Sequence, residues 1–135
     1  MNGVIAQQLE RYFAARAADG NVAAAWLFGS VARGDDDDRS DVDVAVLYRR
    51  DPPRTFDALP LRLEGEIERL LGRRTEVVCL NLAPVDLCAR VLRDGVLLVD
   101  RDPALRIGFE VRTRNLWFDL QPVLRTYRRL AAPAG

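Results

Sequence analysis

Leu27-Phe28-Gly29-Ser30-Val31-Ala32-Arg33-Gly34-Asp35, followed by Ser40-Asp41-Val42-Asp43-Val44, is the stretch on which the reading of this chain turns. Upstream of it, Val22 to Phe28 is short, apolar and closed by a glycine, the pattern of a buried strand. Ser30 then stands where an N-cap would, opening a short helical turn toward Arg33 and Gly34. Asp35 to Asp38 and Arg39 form a solvated, flexible loop. From Asp41 to Val46 polar and apolar residues alternate, as they do on a strand with two unlike faces. Ser30 and Ser40, the chain's only serines, both fall inside this segment.

Asp41 and Asp43 are two apart on a strand and therefore point to one face. Two carboxylates side by side repel, which favours a divalent cation between them. Hard oxygen ligands suit Mg²⁺, which takes one or two carboxylates together with phosphate oxygens and water. Glu76, near the start of another strand, adds a third carboxylate if that strand lies beside the first. Gly29 lets the backbone approach a phosphate, Ser30 offers a hydroxyl, and Arg33 one turn on offers a fork of charged donors. Each piece has an ordinary reading alone: a solvated Asp-x-Asp pair, a common Gly-Ser turn, a surface arginine. Taken together they make a phosphate cradle facing a metal cradle, the arrangement nucleotidyl transfer requires.

Working outward, Val4, Ile5, Leu9, Tyr12 and Phe13 recur at helical spacing, with Gly20 as the stop. Pro52 and Pro53 precede a helix whose stripe is Leu63, Ile67, Leu70 and Leu71, ended by Gly72. Glu76 to Leu80 reads as a third strand, Pro84 to Arg93 as a helix stopped at Gly95, and Val96 to Val99 as a fourth strand. Asp102 to Leu130 is helical, with Leu116, Leu120, Val123, Leu124 and Tyr127 on one stripe and Pro122 expected to kink or divide it. Helices and strands alternate throughout, which predicts an α/β sheet covered by helices.

The chain has 135 residues, 49% hydrophobic and 30% charged, a soluble globular composition of one-domain size. It contains no histidine, and all 20 basic residues are arginine. A Ser-His-Asp triad, a histidine base, His-ligated zinc, a Walker A lysine and Schiff-base chemistry are thereby excluded. Net charge is zero, which argues against general nucleic-acid binding. The charge is nevertheless polarised, with five excess acids before residue 69 and five excess arginines after it. No signal peptide and no bilayer-spanning run is expected. Cys79 and Cys88 read as reduced core thiols of a cytoplasmic protein.

Gly29-Ser30, Ala32-Arg33-Gly34-Asp35 and Ser40-Asp41-x-Asp43 resemble the signature of the polymerase-β-type nucleotidyltransferase superfamily. The remainder resembles its smallest branch, the minimal nucleotidyltransferase (MNT) antitoxins paired with HEPN-domain ribonuclease toxins in the MntA–HepT systems. Gly72-Arg73-Arg74-Thr75-Glu76-Val77-Val78 matches the family's third-carboxylate strand. Phe109-Glu110, Phe118-Asp119-Leu120-Gln121-Pro122 and Tyr127-Arg128-Arg129 are similar to its C-terminal helix. The resemblance implies a polymerase-β-like fold over residues 1–135 as a single minimal nucleotidyltransferase domain: a mixed sheet of about four strands covered by helices, with a long C-terminal helical segment.

It further implies that Gly29 and Ser30, with Arg33, hold the triphosphate of ATP, and that Asp41, Asp43 and Glu76 are catalytic and hold two Mg²⁺ ions. Glu76 stands where the family commonly has an aspartate one methylene shorter. The acceptor in the resembling family is a tyrosine of the cognate HEPN toxin, and adding AMP there silences the ribonuclease. The chain is thus expected to be a cytoplasmic adenylyltransferase in a hetero-oligomer with its toxin, with neither nucleic acid nor membrane as a direct partner. Two alternatives remain open: an aminoglycoside-type small-molecule nucleotidyltransferase, which generally adds an acceptor domain, and a non-catalytic antitoxin that acts by binding alone. Part of the arginine- and aromatic-rich C-terminal helix is the expected toxin contact.

Overall fold

The computed structural model describes residues 2–15, 21–52 and 60–131. Along the chain run α1 (Asn2–Ala15), β1 (Val22–Phe28), α2 (Gly29–Arg33), β2 (Val42–Tyr48), α3 (Leu61–Leu71), β3 (Thr75–Cys79), α4 (Val85–Asp94), β4 (Val96–Asp100) and α5 (Pro103–Ala131). The alternation read from hydrophobic spacing is present in full. The expected breakpoints at Gly20 and Pro53 lie outside the described residues.

The strands form one mixed sheet in the order β3-β2-β1-β4. β1 pairs antiparallel with both β2 and β4, and β2 pairs parallel with β3. β1 and β2 are central and buried on both faces, which is why Val22 to Leu27 and Val44 to Leu47 are nearly all apolar. One face packs Leu9 and Phe13 of α1, Val31 of α2 and Leu63 and Ile67 of α3 against Leu27, Val42, Val44 and Val46. The other packs Cys88 and Val91 of α4 and Leu105 and Phe109 of α5 against Ala24, Trp26, Ala45 and Leu47. The result is three layers, helix–sheet–helix.

β3 is an edge strand, and its outward N–H groups would be open to pairing with another chain. Two glutamates four apart on α3 close them: Glu68 Oε1 accepts from the Thr75 amide at 3.1 Å, and Glu64 Oε2 from the Val77 amide at 3.1 Å. The strand that carries Glu76 is therefore held on both sides.

Several local expectations are corrected. α2 begins at Gly29, with extended Phe28 as its cap residue and no side-chain cap bond, so Ser30 is inside the helix rather than its N-cap. Asp41 lies one residue ahead of β2, because β1 ends at Phe28 opposite Asp43 and offers Asp41 no partner. The Asp35–Asp38 run is a built turn, not a free loop: Arg73 donates to Asp36 Oδ2 and to the Asp37 and Ser40 carbonyls, and Asp37 Oδ1 accepts from the Arg39 amide. Pro122 does not divide α5, which continues as one helix of 29 residues. A proline removes one N–H from the ladder, and the turns on either side retain theirs. The Thr126 hydroxyl donates to the Pro122 carbonyl at 3.0 Å. The α5 stripe is largely open, with Leu116, Val123 and Tyr127 exposed.

Candidate active site

The site assembles where β1 runs into α2. Gly29 has φ +76°, in the left-handed region that only glycine enters without strain. A β-carbon there would overlap Asp43 Oδ2 and come within 3.1 Å of its Cγ. The Gly29 backbone thus sits directly against the Asp43 carboxylate, a closeness no other residue permits. Gly34, at φ +81°, ends the turn, and the Asp35 amide donates to the Ser30 carbonyl at 2.9 Å. The Gly-Ser turn and Arg33 are held one helical turn apart on a short, rigid element.

Asp43 and Glu76 are register partners across the parallel β2–β3 pair, so their side chains leave the sheet on the same face. That is the face covered by α4 and α5, since Ala45 and Val78, two residues on, belong to the cluster beneath those helices. The strand adjacency on which the third carboxylate depended is present. Asp43 is half-buried, while Asp41 and Glu76 are exposed. Burial pushes the Asp43 carboxyl above its ordinary range, the Glu76 and Asp41 charges push it further, and Arg33 pulls it back. Asp41, Glu76 and Arg33 are therefore each within electrostatic reach of Asp43. Arg33 also pairs with Asp35 at 3.2 Å in an exposed contact worth little by itself.

The donor set suits a hard divalent cation: three carboxylates, no nitrogen or sulfur, and mutual repulsion that a cation would relieve. Among the described residues no three Asp, Glu, Cys or His side chains already converge as a metal cluster. Exposed Asp41 and Glu76 have room to turn toward Asp43, whose own position Gly29 defines.

Sequence reading overlooked three side chains that build this site. Arg73 ties Asp36, Asp37 and Ser40 together immediately before Asp41, and Glu64 and Glu68 anchor the Glu76 strand. The i, i+4 glutamates ahead of Gly72 were the available signal. The thiols carry no chemistry here: both cysteines are free, and burial pushes Cys88 up to about 11.

A strand–Gly-Ser–helix turn facing carboxylates on neighbouring strands defines a class of phosphoryl- and nucleotidyl-transfer folds. The chain belongs to the polymerase beta nucleotidyltransferase family, whose model matches residues 7–104. Among solved structures it is similar to a chain of a toxin–antitoxin crystal structure with AMP-PNP, at 25% identity and TM-score 0.68 over 79% of this chain and 83% of that one. It is also similar to a chain of the complex of the tri-AMPylated Shewanella oneidensis HEPN toxin with its MNT antitoxin, at 22% identity and TM-score 0.70 over 90% and 94%. A crystal structure of the toxin–antitoxin MntA–HepT gives 22% identity and TM-score 0.69 over the same shares. These likenesses bear out the polymerase-β-like fold and the resemblance to MNT antitoxins. No curated protein matches the chain.

Proposed function

We propose that this chain is a nucleotidyltransferase antitoxin that moves AMP from ATP to a tyrosine of a cognate HEPN-domain toxin and thereby silences it. The observation that carries the reading is the contact of the Gly29 backbone with Asp43, which has Glu76 opposite it across the strand pair. A phosphate seat and a carboxylate cluster within one helical turn are what nucleotidyl transfer needs, and neither is required for packing.

Asp41, Asp43 and Glu76 would hold Mg²⁺, which supplies charge neutralisation at the α-phosphate and the pyrophosphate and lowers the pKa of the attacking hydroxyl. Gly29, Ser30 and Arg33 bind the triphosphate, leaving the α-phosphorus beside the carboxylates. The acceptor oxygen attacks that phosphorus, the bond to the bridging oxygen breaks, and pyrophosphate leaves toward Arg33. With no histidine in the chain, a carboxylate takes the hydroxyl proton, and exposed Glu76 is the best placed. A phenol, with pKa ≈ 10, ionises beside a cation more readily than an aliphatic alcohol.

A protein acceptor is favoured over a small molecule by α5. Its core contacts, Leu105, Phe109 and Thr113, lie in its first half, and beyond them Phe118, Tyr127 and Leu130 are 77%, 68% and 79% exposed. An exposed apolar and aromatic surface of this kind marks a protein contact. No helix among the described residues is long and apolar enough to cross a membrane. The test is mass spectrometry of a co-expressed HEPN partner, which should carry AMP on tyrosine only when Asp41 and Asp43 are intact. An unmodified but tightly bound partner would establish an antitoxin that acts by binding alone, and adenylylation of a free small molecule would establish the other alternative.

A further inference from the structure

Between α4 and the second half of α5 lies a groove of about 520 Å³ whose lining includes Asp86, Arg90, Arg93, Arg114, Trp117 and Arg128. That volume falls within the range of small-ligand sites, roughly 300–1,000 Å³. Arg93 forks onto Asp94 at 2.9 and 3.0 Å. Arg90, Arg114 and Arg128 form no ion pair among the described residues. These three exposed guanidiniums line the same groove as the half-buried Trp117 indole, and like charges gathered on one surface gain nothing from one another.

Helical spacing separates this groove from the Tyr127 and Leu130 part of the surface offered to a protein partner, whereas Phe118 falls on the groove side. At 3.6 residues per turn Arg114, Trp117 and Arg128 share one side of α5, while Leu116, Val123, Tyr127 and Leu130 fall largely on the other. The helix thus presents an apolar stripe outward and a cationic, aromatic one toward α4.

We infer that the groove is a second nucleotide site that binds a nucleoside monophosphate, apart from the Gly29-Ser30 turn. Guanidiniums match phosphate oxygens bidentately, the indole offers a stacking face to a base, and the Asp86 carboxylate accepts from ribose hydroxyls. A simple acidic peptide would use the arginines and leave the indole and Asp86 unused. α4 also packs against α2, the helix that carries Ser30 and Arg33. Nucleotide already transferred to an acceptor would have a place to rest in the groove while the next ATP occupies the turn. The choice of adenine rests on the function proposed above; the stacking and phosphate chemistry does not.

The experiment is titration of the full chain with AMP in EDTA, followed by calorimetry and tryptophan fluorescence, with adenosine and inorganic phosphate as separate probes. AMP should bind more tightly than either probe and quench Trp117, leaving Trp26, which is 3% exposed, unaffected. Arg114→Ser and Arg128→Ser should each weaken AMP about tenfold, the scale of one charge-assisted hydrogen bond. Trp117→Leu should abolish the quenching and weaken AMP and adenosine alike, and Gly29→Ala should leave AMP binding unchanged. Phosphate binding as tightly as AMP would reduce the groove to an anion patch and overturn the inference. So would AMP binding lost in Gly29→Ala and kept in the groove variants, or no AMP binding. A chain that binds AMP in the groove yet transfers none to its partner would refute the proposed function and leave this site standing.

Discussion

Replacing Gly29 by alanine tests the centre of the site, because the structure separates its two costs. The first is backbone: at φ +76° an L-residue pays about 1–2 kcal/mol. The second is steric, since the new methyl overlaps the end of the Asp43 side chain, which must leave its rotamer well at about 0.5–1.5 kcal/mol. The total is at most about 1.5–3.5 kcal/mol, because swinging Asp43 away from Glu76 and Asp41 returns part of the strain as relieved repulsion. Gly72→Ala is the matched control, with φ +65° and nothing within 4 Å of its β-carbon, so it incurs only the backbone cost. Urea denaturation of both variants should place Gly29→Ala below Gly72→Ala by up to about 1.5 kcal/mol. Transfer of labelled AMP should separate them far more: a ligand carboxylate displaced by an ångström costs on the order of 100-fold, and Gly72→Ala should retain parental activity. Gly29→Ala transferring AMP within a few-fold of the parent, at the expected stability, would show that the glycine–carboxylate contact is not part of the catalytic geometry.

Three further outcomes are expected. Glu76→Ala should lose most transfer, whereas Glu76→Asp should keep or raise it, as measured by initial rates at saturating Mg²⁺. Asp43→Asn should abolish transfer and, without metal, stabilise the fold at neutral pH. The native carboxyl is raised above its ordinary value of 3.8, so the native state holds its proton more tightly and loses stability as pH rises through that window; the advantage of Asn should fade below the window in thermal melts taken across pH. Glu68→Ala should cost about 1–2 kcal/mol by orphaning the Thr75 amide. It should also lower activity more than Arg62→Ala, which touches only an exposed ion pair on the same helix.

How much of this was legible follows from where the determining interactions lie in sequence. The order of elements came from local periodicity, and the Gly-Ser turn and Asp-x-Asp pair came from residues close enough together to constrain one another. What exceeded them was non-local or counter to propensity. Arg73 reaches back more than thirty positions to the Asp36–Ser40 turn, so the acidic run looked merely solvated until its partner was in place. The α5 stripe had helical period, but period reports which residues share a face and not whether anything covers it, and the structure leaves Leu116, Val123 and Tyr127 exposed. Ser30 had the right chemistry for a cap, but the helix begins one residue earlier, at Gly29, and no side chain caps it.

The sequence by itself determined which groups this chain can use: carboxylates and arginines, a glycine-bearing turn, no histidine and no lysine. Only the tertiary structure decided that they meet. Parallel pairing of β2 with β3 places Glu76 opposite Asp43, a register set by strand hydrogen bonds between segments more than thirty residues apart. Packing of α4 against α5 gathers arginines from two helices around Trp117. Side-chain chemistry is written residue by residue, but convergence is a property of how buried surfaces fit together, and no local stretch of sequence encodes it.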